Sequence, residues 1–257
     1  MLLTMSTGHV PRFRVAMANT DEDLSKAQAL RYEVFVQELG GSGALVDHEF
    51  GLERDCFDPY FDHMLLYDDA VNKVVGVYRM LRMAQAESAG QFYSENAYDL
   101  TLLRATGRNL LELGRSCLHA DYRGGNAMMH LWSALASYID YHNIEIMFGV
   151  ASFHGTDTKA LAMPLSLLYQ RHLAPEALRV KALQKNSQNM NLIPENRLDR
   201  KIAVRQVPAL IKGYLRLGGV VGENASVDYA FNTTDVCLVM DISVMNGRQK
   251  RIYGSIS

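Results

Sequence analysis

Apolar and polar positions alternate from Phe13 to Ala18, which predicts a first strand. Thr20-Asp-Glu-Asp follows, a capping hydroxyl with acids in the first turn, and a helix then runs to about Leu39. Leu24, Ala27, Val34 and Phe35 form its inner stripe. Arg31 lies four residues from both Ala27 and Phe35, so it points inward with them. An inward arginine either snorkels to the edge of the stripe or meets an anionic partner, and the acids that follow favour the second. Gly40-Gly41-Ser42-Gly43 ends the helix and opens a long acidic loop, with Asp47, Glu49, Glu53, Asp55, Asp58 and Asp62. Phe50, Leu52, Phe57, Tyr60 and Phe61 interleave with these acids, which predicts a loop folded against the body. His63 to Asp68 and Lys73 to Met83 read as the two strands of a hairpin. Val75, Val77, Arg79 and Leu81 share one face of the second strand, and Arg82 falls on the other, solvated one.

Residues 84–108 are polar with helical patches, and Arg104 and Arg108 are expected to face solvent. From Leu111 the chain reads as a strand, turns through Tyr122-Arg-Gly-Gly-Asn126, and continues as an apolar helix from Asn126 to His142. Ile144 to Val150 is a further apolar strand, so the segment is a βαβ unit with parallel strands. Thr158 to His172 is helical, with Pro164 marking a kink or a late start. A helix from Ala209 to Leu217, a strand from Val227 to Phe231 and a strong strand from Thr234 to Val244 complete the pattern. The basic tail from Arg248 to Arg251 reads as mobile.

Composition narrows the class. The 257 residues carry a formal net charge of −2, which argues against nucleic acid as a partner. The charge is uneven: residues 171–216 hold 10 Lys or Arg against 3 Asp or Glu. That segment is either a solvated face or a docking surface for an acidic carrier protein or anionic lipid. Cys56, Cys117 and Cys237 are scattered and odd in number, as expected of reduced thiols in the cytoplasm. No apolar run approaches the roughly 18 residues of a membrane span, and the N-terminus lacks the pattern of a signal peptide. Any membrane contact is therefore expected to be peripheral, on the inner membrane.

The candidate chemistry gathers on the strand from Leu111, which carries Glu112 and Arg115 where a buried strand should carry no charge. Strict alternation sends the two to opposite faces. A bulge at Gly114 would bring them to the same side and splay the strand from its neighbour, leaving a slot for a pantetheine and an acyl chain. The glycine turn after it, Arg123, Gly124, Gly125 and Asn126, offers free backbone N–H groups at a helix start, suited to the phosphate of a phosphopantetheine arm. Other patterns are weaker. Gly40 to Ala44 nearly matches a nucleophile elbow, but it follows a helix and fails at Ala44. His63 and Asp68 have the His-x4-Asp spacing of glycerolipid acyltransferases, in a strand where that pattern needs a turn. Cys117 reads as a buried structural thiol before it reads as a nucleophile. Met128, Met129, Trp132, Met147 and Phe148 are core, or the lining of an acyl tunnel. No His, Cys or carboxylate set has metal-ligand spacing.

Three pieces taken together, Arg31-Tyr-Glu-Val-Phe35, Glu53-Arg-Asp-Cys-Phe-Asp58 and Glu112-Leu-Gly-Arg115, resemble the acyl-homoserine-lactone synthases, a branch of the GCN5-related N-acetyltransferase fold. Asp121-Tyr-Arg-Gly-Gly125, Leu131-Trp132, Leu210-Ile-Lys-Gly-Tyr-Leu-Arg216 and Asn232-Thr-Thr-Asp235 are more similar to the ornithine-lipid type N-acyltransferases. The resemblance runs from about Phe13 to Val244. It implies an α/β fold with a mixed central sheet, a splayed strand pair and helices on both faces, in one domain over 1–257 with mobile tails at 1–12 and 246–257.

The resemblance further implies an acyl transfer to the α-amine of an amino acid, with ornithine the family default and glutamine an alternative. Glu112 would be the catalytic base, and Arg31, Phe35, Asp55, Asp58, Arg79 and Arg115 would bind the amino acid. Arg31, Arg79 and Arg115 against Asp55, Asp58 and Glu112 would form a charge-balanced buried network, in which an arginine would grip the α-carboxylate and a loop acid would hold a side-chain ammonium. Arg123, Gly124, Gly125 and Asn126 would bind the donor. Asn126 and Met128 replace small residues that in the wider fold admit the pyrophosphate of coenzyme A, which points to acyl carrier protein as the donor. No permanently bound cofactor is expected. A signal synthase that lactonises its product, and a non-catalytic acyl-binding module, remain as alternatives.

Overall fold

The computed structural model describes residues 10–43 and 46–245. Ala44, the tail from Arg248 to Arg251 and most of the two predicted mobile tails lie outside the described residues. Arg12, inside the first of those tails, is tied down: its N–H donates to Asp68 Oδ1 at 3.0 Å and its carbonyl accepts from Asp69.

In chain order the elements are β1 (Phe13–Met17), α1 (Asp21–Arg31), a π-helical stretch (Tyr32–Glu38), β2 (Val46–Asp47), β3 (Leu52–Glu53), β4 (Asp62–Asp68) and β5 (Lys73–Arg82). Then come α2 (Met83–Ala89), β6 (Tyr98–Asp99), α3 (Thr101–Ala105), β7 (Leu110–Leu118), α4 (Ala127–Tyr141), β8 (Ile146–His154) and α5 (Ala162–His172). The last third holds β9 (Lys181–Ala182), β10 (Ser187–Gln188), α6 (Arg200–Gln206), α7 (Ala209–Arg216), β11 (Val220–Val221), β12 (Ala225–Asp228) and β13 (Thr233–Asp241). A central mixed sheet is ordered β1-β4-β5-β7-β8-β13-β12-β10, with β11 also on β13. Its one parallel ladder among the described residues is β7 with β8, the pair joined through α4. Among the described residues no helix is long and apolar enough to cross a membrane.

The predicted cap holds: Thr20 accepts from the Asp23 N–H. Pro164 sits in the first turn of α5, where its missing N–H costs nothing, so it marks a late start. Two readings of facing change. Val75 is squeezed out of register, since Leu66 pairs with Gly76 and Tyr67 with Val74. It therefore joins Tyr78 and Met80 in one core layer while Val77 packs in another. Arg82, Arg104 and Arg108 lie at the surface but are partnered, by Asp62, Glu95 and Asp241 respectively.

The sheet opens at its centre. The β7–β8 ladder ends at Glu112 and Phe148, although both strands continue. On the other edge of β7, Arg79 pairs with Gly114 and Val77 with Cys117, so Arg115 and Ser116 together oppose Tyr78. The bulge is centred on Arg115, at φ 49°, one residue beyond the predicted glycine. Gly149 lies at the parting point, where an added Cβ would stand 2.1 Å from the Leu113 carbonyl oxygen. Gly149→Ala must push two backbones apart. We expect it to destabilise the fold by about 1–3 kcal/mol and to impair acyl transfer, read by thermal unfolding beside an activity assay. An unchanged Tm would show that the strands part without needing this glycine.

Candidate active site

Six charged side chains from four elements and a loop meet beside the bulge. Arg31 is 0% exposed. Its Nε donates to Glu53 Oε2 at 2.6 Å, Nη1 and Nη2 each donate to Asp58 at 2.8 Å, and Nη2 also reaches the Glu53 carbonyl. Arg79 donates through Nη1 to both oxygens of Asp55 and to Asp58 Oδ1, all at 2.8 Å, and stacks 4.1 Å from the Phe61 ring centre. Arg115 donates to Glu53 at 3.2 Å, Asp55 at 3.4 Å and the Tyr93 hydroxyl at 3.2 Å. Gln28 adds a bond to Asp58 at 3.0 Å. The set is balanced, three guanidinium groups against three carboxylates, as a buried network must be.

The third acid of this network is Glu53, not Glu112. Glu112 belongs to a neighbouring cluster, accepting from the N–H of Tyr93 at 2.7 Å, the N–H of Ser94 at 2.6 Å and the Ser94 hydroxyl. Burial pushes its carboxyl up to about 7 against the pull of those donors and of the Arg79 charge. Tyr93 and Ser94 belong to a short 3₁₀ turn that the sequence reading missed, because residues 84–108 showed only patches of period.

A cavity of ≈ 660 Å³ fills the gap between β7 and β8 and is lined from both faces of the sheet. On one face it is apolar: Met147, Ala151, Leu238 and Met240 belong to the same core cluster as Tyr214 of α7, with Leu210 packed against it. On the other, Phe148, Ser152 and Asp235 look toward Tyr93, Ser94 and Asn96. Arg115 stands on this polar side, its guanidinium 4.9 Å from the Tyr93 ring centre and 5.1 Å from that of Phe231. Phe35, carried by the π-helical stretch after α1, also lines the cavity, and π-helical insertions of this kind recur at functional sites.

Of the residues expected to bind the amino acid, Arg115 and Phe35 therefore reach this cavity. Arg31, Arg79, Asp55 and Asp58 do not line it. Their bonds to one another, to Glu53 and to Arg115 tie the acidic loop to β5 and β7, while Nε and Nη2 of Arg79 are buried without a hydrogen-bond partner. Asp55 and Asp58 do border a second, more open cleft of ≈ 700 Å³ over the acidic loop. Asp58 is 3% exposed there.

Arg123, Gly124, Gly125 and Asn126 form an exposed turn into α4 outside the cavity lining. Arg123 is engaged by Glu38 and by the Leu118 carbonyl, so any anion affinity of the turn falls to its backbone N–H groups. Gly124 takes φ 79° with nothing near its missing Cβ.

The weaker motifs separate. His63 donates to the Asp58 carbonyl, and Asp68 accepts from the Tyr122 hydroxyl and from two backbone N–H groups. Five residues apart on one strand, they face opposite ways. Burial pushes the Cys117 thiol up to about 12, which removes it as a nucleophile. Among the described residues no group of three or more His, Cys, Asp or Glu is placed to hold a metal ion.

A parallel strand pair that parts over a through-sheet cavity, with an ion network at the bulge, defines an acyltransferase of the GCN5-related class. Residues 30–133 match the Acetyltransferase (GNAT) domain family. Among solved structures, the fold is similar to the AHL synthase LasI, at a TM-score of 0.52 and 15% identity over 96% of each chain. It is also similar to FeeM, an N-acyl amino acid synthase from uncultured soil microbes, at a TM-score of 0.54 and 10% identity over 91% of this chain and 93% of that one. The chain belongs to the L-ornithine N(alpha)-acyltransferase family: it is 52% identical to the Rhodobacter capsulatus protein of that name, over 94% of both chains.

Proposed function

We propose that this acyltransferase moves a 3-hydroxyacyl or acyl group from the phosphopantetheine of acyl carrier protein to the α-amine of ornithine, giving a lyso-aminolipid. The observation that carries this reading is the two-sided cavity. A thioester at the gap between β7 and β8 has an apolar arm for its acyl chain on one face and a charged arm for an amino acid on the other. The name of the Rhodobacter capsulatus relative supports ornithine as the acceptor.

In this reading Arg115 takes the α-carboxylate. The α-ammonium gives up a proton through the Ser94 hydroxyl to Glu112, and Ser94 is the member of that pair which lines the cavity. The free amine then attacks the thioester carbonyl. Beyond Glu112 and Phe148 the strands are unpaired, so backbone N–H groups at the gap are available to the developing oxyanion. As the C–N bond forms and the C–S bond breaks, the second proton leaves nitrogen for the departing thiolate. No covalent enzyme intermediate is needed. The exposed turn of Arg123, Gly124, Gly125 and Asn126 receives the single phosphate of the arm through its N–H groups.

The basic segment supports a carrier-protein donor. Lys185, Asn186, Leu210 and Tyr214 from 171–216 line the cavity, and Arg197, Arg200, Lys201 and Arg205 of the same segment are exposed. A Lys201→Glu/Arg205→Glu variant is expected to raise KM for acyl carrier protein about tenfold at low salt with kcat unchanged. Equal kinetics would move the docking surface elsewhere. This reading also requires the cytoplasm, and a product with a long acyl chain brings peripheral contact with the inner membrane. The direct test is lipid mass spectrometry of a bacterium that expresses the chain and makes no aminolipid of its own. An N-acyl ornithine is the expected product. N-acyl glutamine would change the acceptor, a cyclised lactone would replace the reading with that of a signal synthase, and no product at all would refute it.

A further inference from the structure

Asp235 stands at the head of an apolar run. Val236, Cys237, Leu238, Val239 and Met240 follow it on β13, and it is the acid that points into the polar arm of the cavity from that strand. It is 8% exposed, and its Oδ1 has no hydrogen-bond partner. Its cross-strand neighbours are Ser152 on β8 and Ser226 on β12, and Thr233 shares its face two residues away. Burial raises its carboxyl to about 6, while hydrogen bonds from Ser152 and Thr233 act in the opposite sense. Its Oδ1 is an acceptor to spare.

The other acids near the site are occupied. Glu53, Asp55 and Asp58 are bonded to arginines, and Glu112 holds the turn at Tyr93 and Ser94. Asp228 caps the turn at Ala230 and Phe231. No loop acid is left to hold a cation inside the cavity, as the sequence had suggested one would. A buried carboxylate oxygen without a donor is costly unless a ligand supplies one. Asp235 lies two strands from Arg115, across β8 and the gap where β7 and β8 part, so their backbones stand farther apart than the roughly 10 Å of two paired-strand spacings. The two side chains and an extended amino acid can span that distance together.

We propose that Asp235, with the hydroxyls of Ser152 and Thr233, receives the side-chain ammonium of a dibasic amino acid whose α-carboxylate is held by Arg115, and so selects basic over neutral acceptors. This rests on the amino-acid acceptor reading above. It makes Asp235 a specificity residue, separate from the proton path at Ser94 and Glu112.

The test compares ornithine with norvaline, its neutral analogue without the terminal amine, using purified enzyme and acyl carrier protein. Asp235→Asn is isosteric and keeps one acceptor. It is expected to lower kcat/KM for ornithine about 30-fold or more, through KM, and to leave norvaline unchanged or improved. A fall in kcat shared equally by both acceptors would overturn the proposal and make Asp235 part of the chemistry. So would a variant that keeps the wild-type preference for ornithine. If Asp235→Asn does not fold, Ser152→Ala gives the same readout, a severalfold rise in KM confined to ornithine, and an unchanged ratio overturns the proposal. Wild-type enzyme that acylates norvaline as well as ornithine defeats this inference alone. Wild-type enzyme that acylates no amino acid defeats the acceptor reading and this inference with it.

Discussion

Replacing Glu112 with glutamine is expected to lower kcat by about 10²–10⁴, with KM for the amino acid nearly unchanged. Glu112 lies beside Ser94, and its carboxyl is raised to about 7 chiefly by burial. A base must be ionised to act, so the wild-type kcat should rise with pH through about 7 and level off above it. The Glu112→Gln variant should lose that limb. Ser94→Ala leaves the carboxylate and its two backbone bonds in place but removes the hydroxyl that joins it to the cavity. It should therefore lose kcat to a similar extent. A Ser94→Ala variant with wild-type turnover would break the proposed relay. If Glu112 served only to hold the turn at Tyr93 and Ser94, Glu112→Gln would raise KM and lower Tm while the pH limb survived.

Replacing Arg31 with methionine is expected to destabilise the protein by about 3–5 kcal/mol, because it leaves Glu53 and Asp58 as buried carboxylates without their main partner. In a chain of this size that is a fall in Tm of about 6 °C or more. The effect should depend on pH in a defined sense. Burial raises the Asp58 carboxyl, but the Arg31 bonds and the charges of Arg31, Arg79 and His63 outweigh it and hold the group below the usual carboxylate range. A depressed folded-state pKa contributes stability that is present above the unfolded value, about 3.9 for aspartate, and lost as pH falls below it. The wild type should thus lose stability in acid faster than Arg31→Met does, and the gap between them should narrow below about pH 4. Thermal melts of both proteins across that range decide the matter. Parallel curves would mean that Arg31 contributes packing and not charge.

Much of this site could be read from spacing. Arg31 and Arg79 were visible as charges at apolar positions of a helix and a strand, and the acids that meet them were visible as a loop too hydrophobic to float free. The part that was misassigned is equally physical. Glu53 and Glu112 are both single acids near apolar residues, and only the path of the loop decides which one reaches Arg31 and Arg115. Val75 escaped because one residue of slippage between β4 and β5 reverses the facing of everything beyond it. Asp235 carried its own signal, an acid directly before the apolar stretch of a strand, but its use depends on which groups stand across the gap.

Periodicity, capping and composition are local properties, and local forces act within a few residues. They determined the order of strands and helices, the inward turn of Arg31, the cap at Thr20 and the parallel unit built around α4. The pairing of three arginines with three carboxylates, the parting of β7 from β8 at Gly149, and the meeting of Arg115 with Asp235 across one cavity join residues far apart in the chain. Only tertiary structure decided them, because a buried charge takes whichever partner the folded backbone brings within reach.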